Sequence, residues 1–108
     1  KIDIHSGKDR STLFKTVKKP FGIPYGILVS AEYDNLMFAG RCASMDAVAL
    51  SSARVMPQCM SMGQAAGEAA AMALDANIAP KDVDVKALQN ELLKTGAIFK
   101  EEQIDVNY

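Results

Sequence analysis

Arg41, Arg54, Cys42, Cys59 and the single histidine, His5, are the side chains of this sequence best suited to chemistry. Arg41 follows Gly40 at the end of a short apolar run. Its planar fork of donors suits either a phosphate or a neighbouring carboxylate. Cys59 stands near the expected amino terminus of a helix, a setting that favours a thiolate. No base accompanies it in sequence, and buried packing is the other common fate of a free cysteine. His5 ends the alternating stretch Ile2-Asp3-Ile4-His5, where it serves either as a general acid or base or as a surface or capping residue. No Cys-x-x-Cys and no Cys/His cluster supplies a ligand set for structural zinc, and no catalytic residue declares itself.

These residues hang on a few expected elements. Leu36-Met37-Phe38-Ala39 follows the turn pair Asp34-Asn35 and stops at Gly40, the pattern of a short strand buried on both faces. A second strand is expected over residues 25–29, with Pro24 just before it, and a short half-exposed strand over residues 2–5. Residues 6–20 read as a loop or ragged hairpin. Residues 57–74 predict a long alanine-rich helix with Pro57 in its first turn and a stop at Asn77 and Pro80. Gly63, Ala66, Gly67, Ala70 and Leu74 fall on one stripe of that helix. Two glycines there imply close approach of a second backbone or a flat ligand, or else tight packing on a sheet. The loop over residues 42–56 is long, and long ordered loops are disproportionately functional; residues 45–50 within it suit a helical turn. Asp82 or Asp84 caps a final helix carrying Val85, Leu88 and Leu92, which ends at Gly96. The polar tail over residues 100–108 is expected to fray.

Composition narrows the classes. In 108 residues, 49% hydrophobic, there is material for one small core. A net charge of −1 gives no global electrostatic case for nucleic acid or an anionic membrane. Lys1, Lys8, Arg10, Lys15, Lys18 and Lys19 face only Asp3 and Asp9 in the first twenty positions, either a solvated surface or an anion-binding patch. No apolar run reaches membrane-spanning length and no signal peptide is visible, so the cysteines are expected to be reduced and the protein cytoplasmic.

Several blocks together resemble the carboxyl-terminal end of a bacterial family of FAD-dependent oxidoreductases: Asp34-Asn35-Leu36-Met37-Phe38-Ala39-Gly40-Arg41-Cys42, Arg54-Val55-Met56-Pro57-Gln58-Cys59-Met60 and Met62-Gly63-Gln64-Ala65-Ala66-Gly67. Phe21-Gly22-Ile23-Pro24-Tyr25 and Asp82-Val83-Asp84-Val85-Lys86-Ala87-Leu88-Gln89 also fit, so the resemblance runs over about residues 2–98. It implies an α/β fold, the carboxyl-terminal part of an FAD-binding Rossmann-like domain. Residues 1–23 would then close a substrate-facing region, residues 24–98 belong to the FAD-binding domain, and residues 99–108 form a tail.

The same resemblance places Gly40 and Arg41 at the ribityl–phosphate portion of FAD, where many related flavoproteins have an acidic residue after the glycine. It makes Arg54, Val55, Met56, Gln58, Cys59 and Met60 the lead-in to a flavin-facing helix, with Arg54 contacting substrate or supporting the loop. Other members often carry a histidine in the loop after Gly-Arg, and Asp46 stands in that area here. The Gly-x-Gly-x-x-Gly turn that receives the cofactor's pyrophosphate is expected upstream in a longer polypeptide acting on a small molecule. On this reading the isolated chain is colourless, inactive and self-associating. The alternative is a free-standing α/β interaction domain that homodimerises through its Gly/Ala-rich helix.

Overall fold

Helix α2 (Met56–Ala76) is the longest element of the chain, and its sequence explains both its ends. Pro57 lies in the first turn, where its missing N–H is no loss. Asn77 takes up the left-handed conformation at φ 53° and its N–H closes on the carbonyls of Ala73 and Leu74. Ile78 N–H then bonds Ala73 O at 3.0 Å, completing the stop. In this computed structural model the described residues are 2–5, 12–15 and 21–99, the first two stretches as backbone only.

Antiparallel strands β1 (Ile2–His5) and β2 (Thr12–Lys15) pair with Ile2 opposite Lys15 and His5 opposite Thr12. A 3₁₀ turn follows at Tyr25–Leu28, and a second at Gly40–Cys42. Helix α1 (Ala47–Ala53), helix α2, a 3₁₀ turn at Pro80–Asp82 and helix α3 (Val85–Lys94) complete the order. Asp84 caps α3 by accepting from Lys86 N–H at 3.0 Å, and Gly96, at φ 88°, lies just past its end.

Two joined apolar clusters form the core. Ala69 and Ala73 of α2 pack against Val83, Leu88 and Leu92, while Met62 packs with Leu28, Ala43 and Ala53. Alanine at the α2 side of the first cluster lets α3 come close, and Ala69 is fully buried there. Tyr25 bridges the two clusters, and its hydroxyl donates to Pro80 O at 2.5 Å across the fold. Gln64 Nε2 donates to Thr95 Oγ1 at 2.8 Å and ties α2 to the end of α3.

The α/β Rossmann-like expectation is corrected by this architecture: from residue 21 to 99 the chain is helical and no strand forms. Residues 25–28, expected to be extended, wind into a 3₁₀ turn after Pro24. Residues 36–39 keep only an isolated bridge, Val29 opposite Met37, with Phe38 N–H to Leu28 O at 2.7 Å and Ser30 N–H to Leu36 O at 3.1 Å. A strand is made by its neighbours, and here one short segment pairs on one side alone. Leu36 is 42% exposed, so the run is not buried on both faces. The long helix and the capped final helix stand where the spacing predicts them. The short strand expected over residues 2–5 coincides with β1, and of the loop or ragged hairpin expected over residues 6–20 only β2 lies within the described residues. The basic residues of that region and the tail 100–108 lie outside the described side chains.

Burial raises the pKa of Tyr25, so its hydroxyl stays protonated as a donor through neutral pH. Tyr25→Phe leaves Pro80 O without its donor and should cost about 1 kcal/mol in urea unfolding. Because the folded-state pKa is raised, the stability linked to it is fully present below the unfolded value of about 10 and is lost as pH rises through the folded value. Wild-type protein should therefore lose stability above that pH more steeply than Tyr25→Phe; parallel curves would show that the hydroxyl carries no such linkage.

Candidate functional site

Gly40 sits where the short extended segment turns toward α2. Its φ of 68° belongs to the left-handed region that glycine adopts freely. A Cβ built on it would lie 3.6 Å from both Cβ and Sγ of Cys59. The turn backbone is thus seated against the first turns of α2. Ala43 N–H bonds Gly40 O at 3.2 Å and closes the 3₁₀ turn.

Three of the expected site residues hold this junction together. Arg41, exposed, donates from Nε to Arg54 O at 3.2 Å. The Cys59 thiol lies 3.4 Å from the same carbonyl and 3.8 Å from Ala53 O. Arg54 itself ends α1, with its N–H on Leu50 O at 2.9 Å. Two side chains therefore converge on the carbonyls that α1 leaves open at its carboxyl end. Cys59 donates to carbonyls here, a packing role rather than that of an activated nucleophile. Arg41 uses one edge of its guanidinium on the backbone, not on a carboxylate.

The amino end of α2 is built differently. Val55 is its N-cap and offers no side-chain acceptor, so the helix begins uncapped. Its first internal bond is Cys59 N–H to Val55 O at 3.1 Å. Helix amino termini carry partial positive charge and unpaired donors, a setting suited to anionic or electron-rich groups. Beside it, Gln58 Oε1 is buried with no hydrogen-bond partner. A buried amide oxygen without a donor costs about 1–3 kcal/mol unless something supplies one. Gly40, Arg41, Arg54, Gln58 and Cys59 thus gather around one junction, while Met56 and Met60 project from it, 77% and 74% exposed.

Other candidates fall elsewhere. Asp46 caps α1, its Oδ1 accepting from Ala49 N–H at 2.7 Å. That gives Asp46 a folding role. His5 lies in β1, and its side chain is outside the description. Among the described residues no group of three or more His, Cys, Asp or Glu side chains is placed to hold a metal ion. Nor is any described helix long and apolar enough to cross a membrane. Gly63 and Gly67 face open space, with no atom within 4 Å of a Cβ at either. The close contact their stripe implies is not made within the described chain.

One feature was not legible in the sequence. A cavity of about 520 Å³ opens between residues 21–27 and helix α1, with Phe21, Ile23 and Ile27 on one side and Val48, Ala49 and Ala53 on the other. These segments are some twenty residues apart and share no motif. The only signal is that the loop after Gly40-Arg41 is rich in small and apolar residues.

No match is found among curated proteins or among solved structures. The profile of the FAD dependent oxidoreductase family, by contrast, aligns with residues 1–92, which takes in β1, the Gly40 turn, α1, α2 and most of α3. With that match over most of its length, and a glycine turn seated against an uncapped helix start, the chain belongs to the FAD dependent oxidoreductase family.

Proposed function

We propose that this chain forms the carboxyl-terminal part of the FAD site in a larger, cytoplasmic bacterial oxidoreductase, acting on a small-molecule substrate. The observation that carries the reading is the orphaned, buried Gln58 Oε1 at the uncapped start of α2, beside the Gly40 turn. An amide oxygen accepts from an N–H, and the backbone donors of a helix start favour negative charge. Both fit the pyrimidine edge of a flavin. Gly40 lets the backbone approach the ribityl–phosphate portion, and Arg41 lies on the exposed side of that turn. Val55, Met56 and Met60 would line the same approach, and Arg54 would hold the loop that leads to it. When bound, FAD supplies the redox chemistry, and these residues orient it and tune its environment. Residues 24–98 form the flavin-site portion on this reading, and residues 1–23 close the substrate side.

Gln58→Leu separates binding from folding. Replacing an unpaired buried acceptor by an apolar group of similar shape is nearly neutral or stabilising for the apoprotein. Flavin affinity, by contrast, should fall about tenfold, the worth of about 1.4 kcal/mol. Equilibrium dialysis of the full-length oxidoreductase with FAD, alongside thermal melts of the apoprotein, reads both. Unchanged affinity in a normally folded variant rejects Gln58 as a flavin contact. The isolated 108-residue chain is expected to elute without visible absorbance and without turnover, because the pyrophosphate and adenosine ribose need the glycine-rich turn and acidic residue that we place on the rest of the polypeptide.

A second reading, self-association through α2, is favoured by one observation. Met56, Met60 and Leu74 lie on one stripe with Gly63 and Gly67 and are all strongly exposed, Leu74 at 82%. Small residues between large apolar ones admit the backbone of a second helix. Sedimentation of the isolated chain should show a dimer, and Leu74→Glu with Met60→Glu a monomer. A monomeric wild type at high micromolar concentration would end this reading.

A further inference from the structure

We infer that Arg41 is a positioning residue that works through its Nε–H rather than its charge, fixing the corner between α1 and α2. Arg54 ends α1 as its C-cap, and the next residue, Val55, is already the N-cap of α2. The two helices thus meet with no linker between them. Arg54 lies at φ −79°, ψ −6° and Val55 at φ −77°, ψ 157°. Both are ordinary basins that tolerate a spread of angles. The backbone of the corner therefore leaves its angle open, and contacts made to it supply the constraint.

Two donors do so at a single carbonyl. Cys59 Sγ lies 3.4 Å from Arg54 O, and Arg41 Nε donates to the same oxygen at 3.2 Å. A backbone carbonyl has two lone pairs and receives both. Cys59 belongs to α2, so its bond ties the helix to its own entry. Arg41 stands thirteen residues before Arg54, in the Gly40–Cys42 turn, and its bond brings a separate part of the chain to the corner. Arg41 is exposed, where solvent and salt screen its charge, whereas a hydrogen bond to one carbonyl fixes distance and direction. With the tie made, the turn lies on α2, a Cβ on Gly40 falling 3.6 Å from Cys59 Sγ.

On the flavin reading above, on which this step rests, the consequence is cofactor geometry. Groups that bind a cofactor have to be held to within about 0.5 Å of their working positions. Gly40 belongs to the turn and Gln58 to the first turns of α2, and the Arg41 bond holds the one against the other.

Side-chain length supplies the test. Glutamine matches arginine through Cδ and carries its amide nitrogen where arginine carries Nε, so Arg41→Gln keeps the donor and discards the charge. Arg41→Lys does the reverse, with a methylene at that place and the charge one atom beyond. Arg41→Met keeps neither. All three are made in the full-length oxidoreductase, at a position whose exposure leaves folding intact. FAD affinity is read by equilibrium dialysis together with the visible flavin band, and the rate of Cys59 alkylation by iodoacetamide is read on the apoprotein by peptide mass. Arg41→Met and Arg41→Lys should each weaken FAD about tenfold and shift the flavin band, the effect of one lost hydrogen bond from a charged donor. Arg41→Gln should stay within about threefold of wild type and keep its band. Alkylation of Cys59 should follow the same order, about tenfold faster in the methionine and lysine variants because the turn no longer rests on the thiol. Recovery by Arg41→Lys with failure of Arg41→Gln overturns the inference, since charge would then be what counts. So does equal FAD affinity across the set in protein that binds FAD. Wild-type protein that takes up no FAD rejects the flavin reading instead, and the order of Cys59 alkylation then upholds or overturns the corner role by itself.

Discussion

Helix α2 is apolar on two opposite sides, and the rest of the molecule follows from that constraint. One side carries Met62, Ala65, Ala69 and Ala73 and is buried against Leu28, Leu88 and Leu92. The other carries Met56, Met60, Gly63, Gly67 and Leu74 and faces outward. An apolar face left in water forfeits about 25 cal/mol for each Å² it exposes. Alanine on the inner side brings α3 close, whereas glycine on the outer side leaves room for something equally close. The folded chain satisfies the first side alone.

The start of α2 is fixed by a second set of contacts, and these explain why the Gly40 turn and the helix meet. Arg41 Nε and the Cys59 thiol both bind Arg54 O, so the end of α1 is capped by side chains from the turn before it and the helix after it. This three-way closure holds Gly40 against Cys59 and leaves the amino end of α2 uncapped. A carbonyl end satisfied from within and an amino end left without a cap is an asymmetric arrangement. It conserves donors where an electron-rich ligand can use them.

The parts of this fold legible in the sequence are those whose causes are local. Pro57, the alanine run and Asn77 set α2, and Asp84 with the spacing of Val85, Leu88 and Leu92 sets α3. The strands expected at residues 25–29 and 36–39 failed because strand formation is settled by partners elsewhere. Apolar character alone cannot tell a buried strand from an extended segment with one bridge. The junction was half legible: Gly40, Arg41, Arg54, Gln58 and Cys59 were named from the motif blocks, but the carbonyls that Arg41 and Cys59 share were not. Backbone acceptors carry no signature in the residue that owns them. Asp46, noted only as standing in the area where other members often carry a histidine, caps α1. The cavity needed the packing of α1 on residues 21–27, which neither segment specifies by itself.

Packing carries the outer face of α2 one step further. Stable cores are built from at least two packed layers, and among the described residues α2 is covered on its inner side alone. The outer stripe of α2 begins at the uncapped helix start, and both lie within the residues that the family profile matches. A second layer laid on that stripe would cover Met56 and Met60 at the edge of the Gly40 turn. Burial of the outer face and enclosure of the helix start are in that sense one event, and the desolvation that strengthens every contact to a bound cofactor would come with it.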